Sequence, residues 1–512
     1  MTLECDIILV SIFESKKESF MKNIKVNALA SLLVNILNIV FPLITNPYLT
    51  RILSKSNYGY FNTANTWVTF IIPLASFGVY NYGVRAISKI REDKNKIDYI
   101  FSMLFYISMF TSFLTTGIYF FFIFFDTSIE NLKVLYYILG AQALFQFLNI
   151  EWMNEAYENY AFILYKTLIV RIAMLVAIFT FVKTADDIVP YAIVMTATTI
   201  LNYLLSFLWI KREVSFVKIG LFELIKASKP LLTILLLANA NMLYTLLDRM
   251  FITKGPDENY ISYYTIASSI VMLIANVLSG AINVSIPRLG YYLGKKDYKS
   301  YNYLVNQAAS LFYFLIIPTS IGLIILGNYA TVIYSSEKYL EAGIVTSAFA
   351  FRTITWAVEL ILGKQIIFIN NYENQLTSLY FIGGGVNLLL NSLLFFHNIY
   401  SPEYYITTTM FSEAIVVLLE IIFIKKHQLL DLKEMFATLT HYTIVSLGFI
   451  PIFLAFKILF QVNSYIVDFN MLLMVLSTVV TCGIYYTLTL FLTKDKTLHY
   501  AINLALAKIK RN

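Results

Sequence analysis

Cysteine is almost missing from the 512 residues: Cys5 and Cys482 stand at opposite ends of the chain, which excludes a disulfide framework and a thiolate metal site. Histidine is equally scarce. The four His residues show no ligand spacing, so neither a metal nor any other cofactor is expected. Charge is thin too, 13% of residues against 58% apolar, and a mean hydropathy of +0.69 makes the chain too oily for a soluble globule. No nucleotide-binding motif is present. Gly383, Gly384 and Gly385 look superficially like a phosphate loop, but no Lys and Ser/Thr follow them, and close helix packing or a flexible bend accounts for them better. The two-residue alternation of a membrane barrel is also lacking. Continuous apolar runs of about 20 residues recur instead, each long enough for a hydrocarbon core of about 30 Å. What remains is an all-α polytopic membrane protein.

The runs predict about fourteen transmembrane helices, at 26–48, 61–84, 98–125, 132–153, 161–182, 190–210, 230–252, 261–286, 303–327, 343–363, 376–397, 404–424, 440–460 and 468–492. Pro190 and Pro230 are read at span starts, where a missing amide costs little. Pro73 and Pro318 fall inside spans and predict kinks. In a soluble protein the net charge of +7 would suggest nucleic acid. Here about 28 Lys and Arg fall in loops on the side of the N-terminus and about 8 on the other, which places both termini in the cytoplasm and calls for no nucleic-acid partner. The loop 151–158 is an acidic exception on the inner side. Residues 1–20 precede Met21-Lys22-Asn23-Ile24-Lys25, and Met21 is the expected biological start.

The basic stretch 211–229 separates two sets of six spans, giving segments 1–25, 26–210, 211–229, 230–424, 425–492 and 493–512 as terminal segment, first lobe, linker, second lobe, two extra helices and basic tail. At an offset of 203, span eight falls on span two, pairing Tyr60 with Tyr263, Ala64 with Ala267, Ser76 with Ser279 and Arg85 with Arg288. Six spans per lobe predict two lobes of like orientation with a cleft between them.

The opening hairpin, 46–89, carries a recognisable pattern. Arg51 closes a first helix, a turn at 56–59 reverses the chain, and the returning helix ends on Arg85. Pro47, Leu49, Arg51, Tyr58, Gly59, Tyr60, Pro73, Gly83 and Arg85 together resemble the opening of polysaccharide flippases, a branch of the superfamily that also holds multidrug exporters and lipid II flippases. That resemblance implies a transporter rather than an enzyme, one moving undecaprenyl-diphosphate-linked repeat units from the inner to the outer leaflet for capsule or other surface polysaccharide. Its partners would be the polyprenyl-diphosphate-linked oligosaccharide, membrane lipids, and a polysaccharide polymerase with chain-length machinery.

Charged residues inside spans are expensive, roughly 3 kcal/mol each, and mark function by default. Arg171, Arg352 and Glu359 meet that test. Span seven adds Asn239, Asn241, Asp248 and Arg249, and it resembles the family's seventh span, whose polar face lines a central cavity. Arg51, Arg171, Arg249 and Arg352 are therefore the candidate substrate-binding residues, because guanidinium pairs bidentately with phosphate. Asp248 and Glu359 are candidates for ion coupling. Arg85 and Arg288 are candidates for a cytoplasmic portal, or else plain positive-inside anchors. For Arg51 and Arg249, snorkelling to outer headgroups is an equal alternative. A multidrug exporter of the same fold, favouring acids over arginines, is the near rival. A polysaccharide polymerase or glycosyltransferase usually carries a large outer loop or acids in an outer loop, whereas the outer loops here are short and the first has no acid. A channel filter is not recognisable.

Overall fold

The computed structural model describes residues 24–239, 242, 244–462, 464–500 and 502. The expected start at Met21 and the candidate Asn241 lie outside the described residues. Every regular element among them is a helix, and twelve helical stretches are long and apolar enough to cross a membrane. The protein is a multi-pass all-α membrane protein. It divides into two compact units, Met1–Asn239 and Ala240–Asn512.

The first unit contains α1 (Ile24–Ile52), α2 (Lys55–Ser76), α3 (Val79–Ser88), α4 (Lys94–Phe125), α5 (Lys133–Leu144), α6 (Glu151–Ala156), α7 (Tyr160–Phe181), α8 (Ile188–Ile210) and α9 (Leu221–Ala238). The hairpin turn sits earlier than the sequence suggests. Ser54 in extended backbone accepts the Asn57 amide at 3.2 Å, so the chain reverses at 53–54, and 56–59 belongs to α2. The returning helix is also interrupted. Phe77 and Gly78 both take left-handed backbone, with φ of 50° and 74°, and α3 starts anew. Only glycine fits at 78, because a Cβ there would meet the Leu231 carbonyl oxygen of α9 at 2.5 Å. Pro230 thus lies inside α9, not at a span start, since that helix begins at Leu221 on Gly220. Pro190 does lie in the first turn of α8, and Pro73 lies within α2. The run at 132–153 gives only the twelve-residue α5, followed by a 3-10 turn and the short α6.

The second unit contains α10 (Thr245–Ile252), α11 (Asn259–Gly294), α12 (Tyr298–Tyr334), α13 (Ala342–Leu360), which continues as a π-helix over Ile361–Phe368, α14 (Glu373–Phe396), α15 (Pro402–Lys426), α16 (Lys433–Leu447), α17 (Phe449–Leu459) and α18 (Phe469–Leu492). Asp297 and Asp468 cap α12 and α18 through the amides of Ser300 and Met471. The expected span at 230–252 is not one helix: α9 ends at Ala238, α10 starts at Thr245, and the fourteen-span count does not follow among the described residues. Pro318 lies within α12 as expected.

In lipid, apolar area does not press helices together, so packing depends on close approach. Gly327 on α12 and Gly343 on α13 supply it. A Cβ at the first would lie 2.2 Å from Ser347 Oγ, and at the second 2.0 Å from Asn328 Oδ1. Phe312, Tyr313 and Ile317 on α12 then interdigitate with Ala357 and Ile361 in the core of this unit. Outward positions such as Phe121, Phe122 and Ile422 stay exposed and apolar, as a lipid-facing surface requires.

Candidate functional site

Within the second unit, four helices bring polar side chains to one buried region. Asp248 on α10 is fully buried. Its carboxylate accepts from Thr409 Oγ1 at 2.6 Å, Asn391 Nδ2 at 2.8 Å, Tyr264 Oη at 3.0 Å and Asn387 Nδ2 at 3.1 Å. The two asparagines are one turn apart on α14 and therefore share a face. All four donors are neutral, so they satisfy the oxygens without cancelling the charge. Arg249, the next residue, is half-buried. Its guanidinium lies 5.5 Å from the centre of the Tyr264 ring and donates to Ser268 Oγ at 3.3 Å. Tyr264 thus touches both: its hydroxyl holds Asp248, and its face carries Arg249.

Arg352 on α13 is buried and closes a two-pronged pair with Glu413 on α15, through Nε to Oε2 at 2.9 Å and Nη2 to Oε1. Such pairs trade a large desolvation cost against short, charge-assisted bonds. Seven residues along each helix stand Glu359 and Glu420, about 10 Å further down the axes. Glu359 is buried and accepts from the Tyr380 hydroxyl. Glu420 is fully buried, and neither carboxyl oxygen has a hydrogen-bond partner among the described residues. Gly363, in the π-helix, makes room for both: a Cβ there would lie 2.7 Å from Tyr380 Oη and 3.1 Å from Glu420 Oε1. A π-turn at such a place fits the habit of these turns to occur at functional sites. The tight helix packing expected of the triple glycine is met at Gly383, where a Cβ would lie 2.3 Å from Val416 and 2.4 Å from Tyr244 Oη.

Among the described residues of the first unit, a buried charge cluster joins α6, α7 and α8. Lys166 on α7 donates to both oxygens of Glu151 at 2.8 Å and to Ser206 of α8 at 2.7 Å. The other acids of that short acidic segment are also held. Glu155 accepts from Tyr80 at 2.8 Å and Glu158 pairs with Arg91 at 2.8 Å. Burial pushes the Glu155 carboxyl above the ordinary range, and the Tyr80 bond offsets part of that.

Of the residues expected from sequence, Asp248, Arg249, Arg352 and Glu359 come together in the second unit. Arg51 is exposed and bonds the Pro47 carbonyl of its own helix at 2.9 Å. Arg171, half-exposed, ties α7 to α1 through Asn38 Oδ1 at 3.4 Å. Arg85 and Arg288 are exposed on α3 and α11, the latter 5.9 Å from the Tyr292 ring centre. Glu413, Glu420 and Lys166 escaped sequence reasoning although the rule that picked out Arg352, charge inside an apolar run, applies to them equally. Tyr264, Asn387, Asn391 and Thr409 carry no such signal. Among the described residues no group of three or more His, Cys, Asp or Glu is placed to hold a metal ion.

The fold is shared with solved structures. A lipid II flippase MurJ in an inward closed conformation superposes with a TM-score of 0.66 at 16% identity, over 91% of this chain and 98% of that one. An inward-facing multidrug resistance MATE family transporter gives 0.56 at 12% identity, over 76% and 98%. In sequence, a protein of Shigella dysenteriae provisionally named an O-antigen transporter is 22% identical over 400 residues, 77% of this chain and 98% of that one. The family described as polysaccharide biosynthesis protein matches residues 24–292, more than half of the 512. On that match the chain belongs to the polysaccharide biosynthesis protein family.

Proposed function

We propose that this protein is a flippase for undecaprenyl-diphosphate-linked oligosaccharide repeat units, moving them across the bacterial cytoplasmic membrane for capsule or other surface polysaccharide by alternating access. The family, the O-antigen transporter relative and the fold of a lipid II flippase support it. The observation that carries it is α10. One short helix in a broken span sets a half-buried guanidinium beside a caged carboxylate, and Tyr264 contacts both. A diphosphate engaging Arg249 would draw it off the tyrosine ring, and the hydroxyl of that ring holds Asp248. Substrate capture and ion occupancy would thereby be linked.

Arg51 and Arg171 join Arg249 as diphosphate ligands in this reading. Arg352 joins them only in a state where its pair with Glu413 opens. Asp248 and Glu359 serve as coupling carboxylates, while Arg85 and Arg288 receive the head group at the cytoplasmic portal. The oligosaccharide travels through water, and the polyprenyl tail stays in lipid.

The test is transfer of a polyprenyl-diphosphate oligosaccharide between leaflets of vesicles containing the full chain. Arg249→Ala should slow transfer at least tenfold, the factor that about 1.4 kcal/mol of lost binding represents. Transfer equal to that of protein-free vesicles would remove the assignment. A multidrug exporter remains the second reading, favoured by one observation: buried acids outnumber buried guanidinium groups around Arg352. Efflux of a cationic dye without any transfer of the lipid-linked sugar would decide for it.

A further inference from the structure

A polar cavity of about 360 Å³ opens between α12, α16 and the residues following α18. Glu434 and His441 face it from one side of α16, Asn306 and Gln307 from α12, and Asp495 and Lys496 from beyond α18. Acids and bases of both signs therefore line one small space. All three walls belong to helix ends: α12 begins at Tyr298, α16 at Lys433, and α18 ends at Leu492. With 37 residues, α12 is about 55 Å long and overruns a hydrocarbon core of about 30 Å, so its first turns lie at headgroup depth. Tyr303 and Tyr500, both exposed, stand at the mouth, as tyrosines do in an interfacial belt.

One acceptor in the cavity lacks a donor. Asn306 gives its amide to the exposed Glu434 at Oε2, 3.0 Å away, while its own carbonyl oxygen is out of solvent and has no hydrogen-bond partner among the described residues. A carboxylate beside an orphaned amide oxygen is what an N–H-bearing cation would satisfy. Opposite charge is at hand in Lys496, with the His441 ring beside it in the lining, while Asp495 is occupied by Tyr442 Oη at 3.3 Å and by the Leu498 amide at 2.8 Å. Further along α12 a second cavity is apolar. Phe314, Leu315 and Pro318 of α12 face Phe449 and Val479 across its volume of about 550 Å³. A polar space with both charges and an apolar one neighbouring it along α12 suit the two parts of an amphiphile.

We infer that the cavity among Asn306, Glu434, His441 and Lys496 binds the head of an aminophospholipid, its primary ammonium donating to Glu434 and the Asn306 carbonyl and its phosphate held by Lys496 and His441. A trimethylated ammonium has the same charge and no N–H to give, so it leaves the orphaned oxygen unsatisfied. A glycerol head leaves Glu434 without a counter-charge. The site therefore separates phosphatidylethanolamine from phosphatidylcholine and from phosphatidylglycerol.

The experiment is native mass spectrometry of the purified full chain in detergent, titrated with each of these three lipids in turn. The site predicts preferential retention of phosphatidylethanolamine by about tenfold over both others, the scale of one charge-assisted hydrogen bond. Glu434→Gln should remove that preference, and Lys496→Ala should weaken retention by a like factor. Lys496 lies beyond α18 with its side chain exposed, and a thermal melt checks the folding of both proteins. Equal retention of phosphatidylcholine would overturn the N–H assignment, and equal retention of phosphatidylglycerol would overturn the ammonium site. An undiminished preference in a folded Glu434→Gln protein would overturn the location.

Discussion

The two units bury charge in opposite ways. In the first, one lysine meets one carboxylate: Lys166, Glu151 and Ser206 satisfy one another, and the charge sums to nothing. In the second, Arg352 neutralises Glu413, but Glu359 and Glu420 follow one heptad later with no second guanidinium, and Asp248 is held by neutral donors alone. A closed account is what a clamp between helices needs. An excess of acid in a membrane unit has to be met by something that comes and goes, which is the ground for proposing ion coupling in the second unit.

That contrast can be broken at several points. The largest effect is expected from Arg352→Ala, which strands Glu413 in the interior and should cost about 3–5 kcal/mol, seen as loss of folded protein in a thermal melt. Replacing both partners by apolar residues should recover most of it. A melt unchanged by the single substitution would show that the pair is not structural. Lys166→Met should cost less, about 1–3 kcal/mol, because the Glu151 side chain retains 15% exposure and can reach water. Gly383→Ala should cost a similar 1–3 kcal/mol, since Val416 and Tyr244 must both move, and unaltered stability would mean that the α14 to α15 contact is loose. Glu420→Gln sharpens the comparison differently. The carboxyl oxygens of Glu420 accept no bond, so the substitution should not lower the melting temperature, while the dependence of lipid-linked sugar transfer on an ion gradient should fall. The smallest effect belongs to Arg91→Ala: its partnership with Glu158 is at the surface, 39% and 40% exposed, and about 0–1 kcal/mol is all such a pair provides.

How much of this was readable in advance divides along physical lines. Length and apolar runs convey the helical membrane fold, because a bilayer permits little else. They fail at 132–153 and 230–252, where hydropathy counts residues and does not see that the helix stops. At 230–252 one mostly apolar run holds both the end of α9 at Ala238 and the start of α10 at Thr245, and Gly78 with Phe77 breaks the second span without any polar residue to announce it. In the site, charge was legible and neutrality was not. Asp248, Arg249, Arg352 and Glu359 stand out as costly residues, whereas Asn387, Asn391 and Thr409 acquire meaning only when three helices converge on one carboxylate. Glu413 and Glu420 were equally conspicuous in type, and what the sequence withholds is their partner: the same spacing of seven on α13 and α15 pairs one guanidinium and leaves the other row acidic.

The π-helix at Ile361–Phe368 gives the second unit a degree of freedom that an ideal helix lacks. Its hydrogen-bonded rings hold one residue more than those on either side, so a residue's worth of slack is stored in a segment that never unwinds. If those turns relax to α geometry, the half of the rod beyond them swivels by about 100°, the rotation per residue of an α-helix, while Arg352 keeps its grip on Glu413. Gly363 and Glu359 sit at the boundary of that swivel. The space that Gly363 leaves beside Glu420 and the Tyr380 hydroxyl would change at the cost of a twist, without any span having to leave its neighbours.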